Sequence, residues 1–267
     1  MILDNICRSV INIAKVAGDF ALSEIETIDH KHVHKKGDRD LVTHIDHSCE
    51  RRIVASLSRL LPEAGFITEE DTIENAKKEL TWIVDPLDGT TNFVHGIPFF
   101  SVSIALLIQE KVVLGVVYNP GLDECFHSFE GGGVFLNDVA IKVSDTISLG
   151  DAMIATGFPY DVPEDIDRYM DLMRVFITHS HGVRRFGSAA IDLAYVACGR
   201  FDAFYETGLN PWDVAAGAFL VKQAGGEVTD FSGSTNGYLF GKEMIACNKA
   251  LFPRFFDLTN SYLAGKR

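Results

Sequence analysis

Residues 82 to 93 read Trp82-Ile83-Val84-Asp85-Pro86-Leu87-Asp88-Gly89-Thr90-Thr91-Asn92-Phe93. An apolar, β-rich run here delivers two carboxylates, Asp85 and Asp88, to a turn imposed by Pro86 and Gly89. Proline pre-sets one turn dihedral and glycine tolerates positive φ. Thr90-Thr91-Asn92 can then open a helix whose unpaired N–H groups and positive end face the carboxylates. A cation and a phosphate could meet at such a spot, although a lone D-P-x-D-G segment is often only a well-capped turn.

Outward from this segment the pattern stays β-rich. Strands are expected at 102–108 and 112–118, joined by Gln109-Glu110-Lys111 as an antiparallel hairpin, and at 125–129 and 134–136 around Gly131-Gly132-Gly133. Upstream, Ile6, Val10, Ile13, Ala17 and Phe20 recur at helical intervals, so the first two dozen residues read as an amphipathic helix. The polar, basic stretch 30–39, with Gly37, reads as a loop. Thr43 with Asp46 three positions later announces a second helix in the manner of a capping box, and Pro62 stops it. Residues 1–145 thus form a half made of helices and an antiparallel sheet.

The second half, 146–267, alternates. Strands are expected at 152–156, 183–186, 201–205, near Val228 and at 244–247. Helices are expected at 166–176, after Ser188, at 212–224 and at 251–263. Such alternation layers helices on a sheet. No repeat or Pro-rich linker separates the halves, so the 267 residues read as one domain.

A formal net charge of -13 argues against general nucleic-acid binding, which needs clustered Lys and Arg. The same acidity can hide a cation site. Two carboxylates ~5 Å apart at an effective dielectric of ~20 repel by about 3 kcal/mol, so a tight cluster must protonate or take up metal. The five cysteines are scattered without C-x-x-C spacing, as in a reducing cytosol, and no run approaches the ~18 apolar residues of a membrane span. A cytoplasmic enzyme is the expectation.

Two further acidic features join the first: Glu69-Glu70-Asp71 after the apolar Gly65-Phe66-Ile67, and Trp212-Asp213 opening a helix that ends at Ala224-Gly225-Gly226. Alone, one is a solvated charge run and the other a helix cap. In this order with Asp85-Pro86-Leu87-Asp88-Gly89-Thr90-Thr91, they resemble the inositol monophosphatase family of lithium-sensitive, magnesium-dependent phosphatases. The resemblance runs from Asp40-Leu41-Val42-Thr43 through Gly187-Ser188-Ala189-Ala190 to the last helix, and Thr156-Gly157-Phe158-Pro159 looks like the bacterial branch. Thr68 departs from the Gly that many members carry before the paired glutamates.

The resemblance implies a five-layered α-β-α-β-α sandwich of the inositol monophosphatase and fructose-1,6-bisphosphatase type, usually a homodimer. It implies two or three Mg²⁺ ions, with Glu69, Asp85 and the Leu87 carbonyl around a first and Asp85, Asp88 and Asp213 around a second. Glu69 also faces a third ion through water, and Thr90 with Asp46 positions and deprotonates the attacking water. Implied substrate contacts are Leu87, Asp88, Gly89, Thr90, Gly187, Ser188, Ala189, Glu206 and Asp213. The implied substrate is inositol 1-phosphate or a similar polyol monophosphate. The alternatives are a sister specificity, for fructose 1,6-bisphosphate, an adenosine bisphosphate or histidinol phosphate, and an accessory role in RNA polymerase antitermination of the kind some bacterial members have. The short 71–81 connection, with no insertion to hold a base, favours the small polyol.

Overall fold

The computed structural model describes residues 3–26, 34–35, 41–159 and 166–263. The first half runs α1 (Leu3–Glu24), β1 (His34–Lys35), β2 (Leu41–Val42), α2 (His44–Leu60), β3 (Gly65–Thr68), β4 (Leu80–Asp88), α3 (Thr90–Val94), β5 (Ser101–Ile108), β6 (Lys111–Asn119), β7 (Glu124–Phe129), β8 (Gly133–Leu136) and β9 (Val139–Ala140). The second runs β10 (Met153–Thr156), α4 (Ile166–His179), β11 (Gly182–Arg184), α5 (Ala189–Ala197), β12 (Ala203–Thr207), α6 (Pro211–Gln223), β13 (Glu227–Thr229), β14 (Glu243–Cys247) and α7 (Phe252–Leu263).

A seven-stranded sheet follows chain order from β3 to β9, and a five-stranded sheet takes the order β11-β10-β12-β14-β13. The first is antiparallel except at its edge, where β3 runs parallel to β4. That edge was not expected from the hairpin pattern, and it carries Glu69 to the end of β4. The loop expected at 30–39 falls largely outside the described residues; within it, His34 pairs with Val42 and Lys35 with Leu41.

Alternation along the strands assigns the layers. Trp82, Val84, Ile104, Leu106, Leu114 and Val116 turn one face of the large sheet toward Ile6, Val10 and Ala14 of α1 and Ile53 and Leu57 of α2. Their neighbours Ile83, Ala105, Leu107 and Val117 turn the opposite face toward α5 and α6, which also pack on Phe204, Val228 and Ala246 of the small sheet. The far face of the small sheet, with Ile154, Tyr205 and Ile245, covers α4 and α7, where Phe176 stacks on Phe255 at 4.9 Å. Helices, sheet, helices, sheet, helices is the layered sandwich expected, with α5 and α6 buried at its centre. Each large apolar side chain buried this way contributes about 1.5–3 kcal/mol. Close approach is built in at Gly115 of β6, where a Cβ would lie 2.9 Å from the Ala216 carbonyl of α6.

Candidate active site

β4 pairs Asp85 with Ser103 but Asp88 with Ser101, so one extra residue bulges out between them. The bulge lies at Pro86, which has no N–H to give the ladder. In a regular strand, residues three apart point to opposite faces; the inserted residue returns Asp88 to the side of Asp85. What reads in sequence as a turn is therefore a kink within a strand, and it is what puts both carboxylates on one spot. Leu87 fills the kink, its side chain fully buried with Ile45, Cys49, Phe93 and Phe100, and its N–H donates to Asp85 Oδ1 at 2.9 Å.

Asp213 arrives from the other half. It sits in the first turn of α6, where its Oδ2 accepts from the Asn210 N–H at 2.6 Å, and Ser103 Oγ donates to the Trp212 carbonyl at 3.1 Å, tying this helix start to β5. One oxygen each of Asp85, Asp88 and Asp213 lies within 4.8 Å of the others. Glu69, half-buried just past β3, hydrogen-bonds side chain to side chain with Asp85. Two carboxyls can do this only by sharing a proton. Burial first, then Glu69, Asp88 and Asp213, push the Asp85 carboxyl well above the usual range. Asp88 is pushed up to about 6 by burial, against the hydrogen bonds it accepts from Ser188 Oγ at 2.6 Å and the Ala190 N–H at 2.7 Å. An all-oxygen cluster that otherwise needs protons to coexist fits a hard divalent cation.

Gly89 adopts φ +102°, and a Cβ there would lie 3.1 Å from the Gly187 carbonyl, so both its backbone conformation and its surroundings call for glycine. It starts α3, which is only five residues long, too short for the helix dipole expected from the sequence to add much beyond its free N–H groups. Thr90 Oγ1 lies 3.0 Å from Asp46 Oδ1 and 3.1 Å from the Leu87 carbonyl, so its single proton can go to either. Asp46 is fully buried; its Oδ2 accepts from the Thr43 N–H at 2.9 Å, and Ile45 N–H donates to Thr43 Oγ1 at 3.1 Å. The capping box expected from the sequence is present, and the same carboxylate also accepts from Thr90. Burial raises its pKa against the hydrogen bonds from Thr43 and Thr90.

The cleft opens from Asp88 and Asp213 across Gly187, Ser188 and Ala189 to Glu206. Glu206, at the end of β12, is pushed up to about 8, chiefly by burial and then by Asp213, with Arg185 opposing. A Cβ on Gly157 would lie 2.0 Å from Glu206 Oε1, so the glycine of the 156–159 segment makes room for that carboxyl. All twelve site residues expected from the sequence thus surround this acidic spot or line the cleft beside it. Three others were not assigned to the site from the sequence. Asn92 Nδ2 donates to the Phe99 carbonyl at 2.8 Å and the Phe186 carbonyl at 2.7 Å, stitching α3 to the second half. Arg185 and Asp192 line the cleft. A lone acid in the otherwise apolar run Ala189-Ala190-Ile191-Asp192-Leu193-Ala194 was the available signal for Asp192.

Comparison with known proteins assigns the class, a phosphatase. More narrowly, the chain belongs to the inositol monophosphatase family, whose model matches residues 3–263. It is 44% identical over 225 residues to an inositol-1-monophosphatase of Mesorhizobium japonicum, covering 84% of this chain and 85% of that protein. It is 40% identical over 255 residues to the Nus factor SuhB of Pseudomonas aeruginosa, covering 94% of each. The crystal structure of the extragenic suppressor protein suhB from Bartonella henselae superposes with a TM-score of 0.88 at 41% identity, covering 96% of this chain and 98% of that one.

Proposed function

We propose that this phosphatase is a Mg²⁺-dependent, lithium-sensitive phosphomonoesterase acting on inositol 1-phosphate or a closely similar polyol monophosphate. The convergence of Asp85, Asp88 and Asp213 within 4.8 Å carries the reading, because that cluster is relieved only by protons or by cations. Glu69, Asp85, the Leu87 carbonyl, Asp88 and Asp213 are the groups that would hold Mg²⁺, two or three ions in all. When bound, the ions would supply neutralisation of the phosphoryl charge and a lowered pKa for water.

The chain's own residues do the positioning. Ser188 and the Ala190 N–H fix one oxygen of Asp88, and the Leu87 N–H fixes one oxygen of Asp85. Thr90 relays a proton from the attacking water to Asp46, whose other oxygen is already anchored by Thr43. N–H groups at Gly89 and Thr90 face the phosphate, and Gly187, Ala189 and Glu206 meet the polyol.

The test is phosphate release from inositol 1-phosphate and a panel of phosphomonoesters with Mg²⁺, with Mg²⁺ plus Li⁺, and with excess chelator. Turnover is expected with Mg²⁺, reduced by millimolar-type Li⁺ and abolished by the chelator. Full turnover in chelator would sink the metal mechanism, and a preference for bisphosphates or histidinol phosphate would move the chain to a sister specificity.

The family resemblance also supports a cytoplasmic homodimer, checked by cell fractionation and light scattering; none of the described helices is long and apolar enough to cross a membrane. The Nus-factor relatives favour a second, coexisting reading, association with the transcription machinery. Binding of purified RNA polymerase to the immobilised chain would test it, with no measurable binding counting against it.

A further inference from the structure

One buried acid in the cleft has no part in the mechanism above. Asp192 lies in α5, every residue of which is buried, one turn beyond Ser188. It is 1% exposed, it lines the cleft, and its Oδ1 has no hydrogen-bond partner. Left so, a carboxyl oxygen is a cost to the fold that an apolar residue of the same size would avoid. Glu206 is the strongest charge acting on it, followed by Asp88, while Arg185 acts in the opposite sense. Arg185 is exposed at the rim, its guanidinium carbon 5.8 Å from the Phe158 ring centroid. Among the described lining residues it is the only cation.

We propose that Asp192 is a specificity-determining residue: its free oxygen and the carboxyl of Glu206 together receive two neighbouring hydroxyls of the substrate, so that the cleft selects vicinal diols at the end remote from the phosphate. Hydroxyls suit this buried pair because each can donate to an acceptor oxygen without carrying a charge that would itself have to be desolvated. Hydroxyls are neutral donors that complete the unfilled oxygen without adding charge. Selection of this kind is strong, since an analogue lacking the hydroxyls leaves both acceptors unpaired.

The inference rests on the phosphatase reading, and the experiment separates the two. Inositol 1-phosphate and cyclohexyl phosphate share ring and phosphate and differ in hydroxyls. Wild-type hydrolysis of inositol 1-phosphate is what the phosphatase reading requires, and a large advantage over cyclohexyl phosphate is what the hydroxyl proposal requires in addition; turnover of both without that advantage overturns the proposal alone. In Asp192→Leu the ratio of kcat/KM for inositol 1-phosphate over cyclohexyl phosphate is expected to fall at least tenfold, mainly through KM, while Tm stays level or rises. Asp192→Asn, which keeps an acceptor oxygen, is expected to recover part of that ratio; Asp192→Ala serves the same comparison if the leucine does not fit. A ratio that stays constant, whether because both substrates lose equally or because neither does, overturns the proposal. So does a fall in Tm with equal losses, the mark of a residue that only packs.

Discussion

Each carboxylate in the cluster is held by a donor on one oxygen and crowded on the other, and the consequences of removing one follow from that. Asp85 is 1% exposed, shares a hydrogen bond with Glu69 and is repelled by Asp88 and Asp213. Asp85→Asn keeps the shape and removes the charge. It should lower kcat by at least about a hundredfold, since the cluster loses an anionic ligand, while the metal-free fold becomes more stable by about 1 kcal/mol or more as like-charge repulsion is relieved. Steady-state kinetics at saturating Mg²⁺ and urea unfolding in chelator measure the two sides; near-normal turnover would return Asp85 to the role of a turn residue. Thr90→Val probes the other side of the site. It deletes the one hydroxyl that lies between Asp46 and the Leu87 carbonyl, so kcat should fall by about 10²- to 10⁴-fold with KM little changed.

The two halves of the site differ in how they are built, and the difference decides what was legible. Local features could be read from short windows: the capping box at Thr43 and Asp46, the alternating strands, the helix opening at Asp213. The bulge could not, because the register of β4 against β5 depends on which residues of a distant strand meet Asp85 and Asp88. The same holds for the Ser188 bond to Asp88 and the Asn92 bond to Phe186, which join residues 100 and 94 positions apart. Asp192 stayed hidden because helical periodicity scores an isolated polar residue as noise unless its surroundings are known. Gly89 is where element and site depend on each other, since its left-handed backbone turns the end of β4 into α3. Gly89→Ala should cost about 1–3 kcal/mol in stability through strained backbone and contact with the Gly187 carbonyl, and should lower kcat by displacing Thr90. Unfolding in chelator and kinetics in Mg²⁺ check this; an unchanged Cm would show that the joint is not strained.

At the scale of the molecule, the sandwich encloses acids that its own packing does not neutralise. Asp46, Asp85, Asp88, Asp192 and Glu206 all have pKa values raised by burial, to about 6 for Asp88 and about 8 for Glu206. Without metal, the native state therefore holds more protons than the unfolded chain between the ordinary carboxylate range and pH 8. Stability must fall as pH rises through that window, by about 1.4 kcal/mol per pH unit for each excess proton. His127, whose pKa burial lowers, works in the opposite direction below its usual 6.5, but it is one group against five. In chelator, Tm is thus expected to drop by about 10 °C or more between pH 5 and pH 8, given about 2–4 °C per kcal/mol for a domain of this size. Saturating Mg²⁺ should flatten or reverse the trend, because cations bind the deprotonated cluster of the folded state and compete with its protons. Differential scanning fluorimetry across pH, with and without Mg²⁺, reads both arms. A metal-free Tm that rose toward pH 8 would mean that the buried acids are already neutralised within the fold, and the cation-binding reading of the cleft would lose its physical basis.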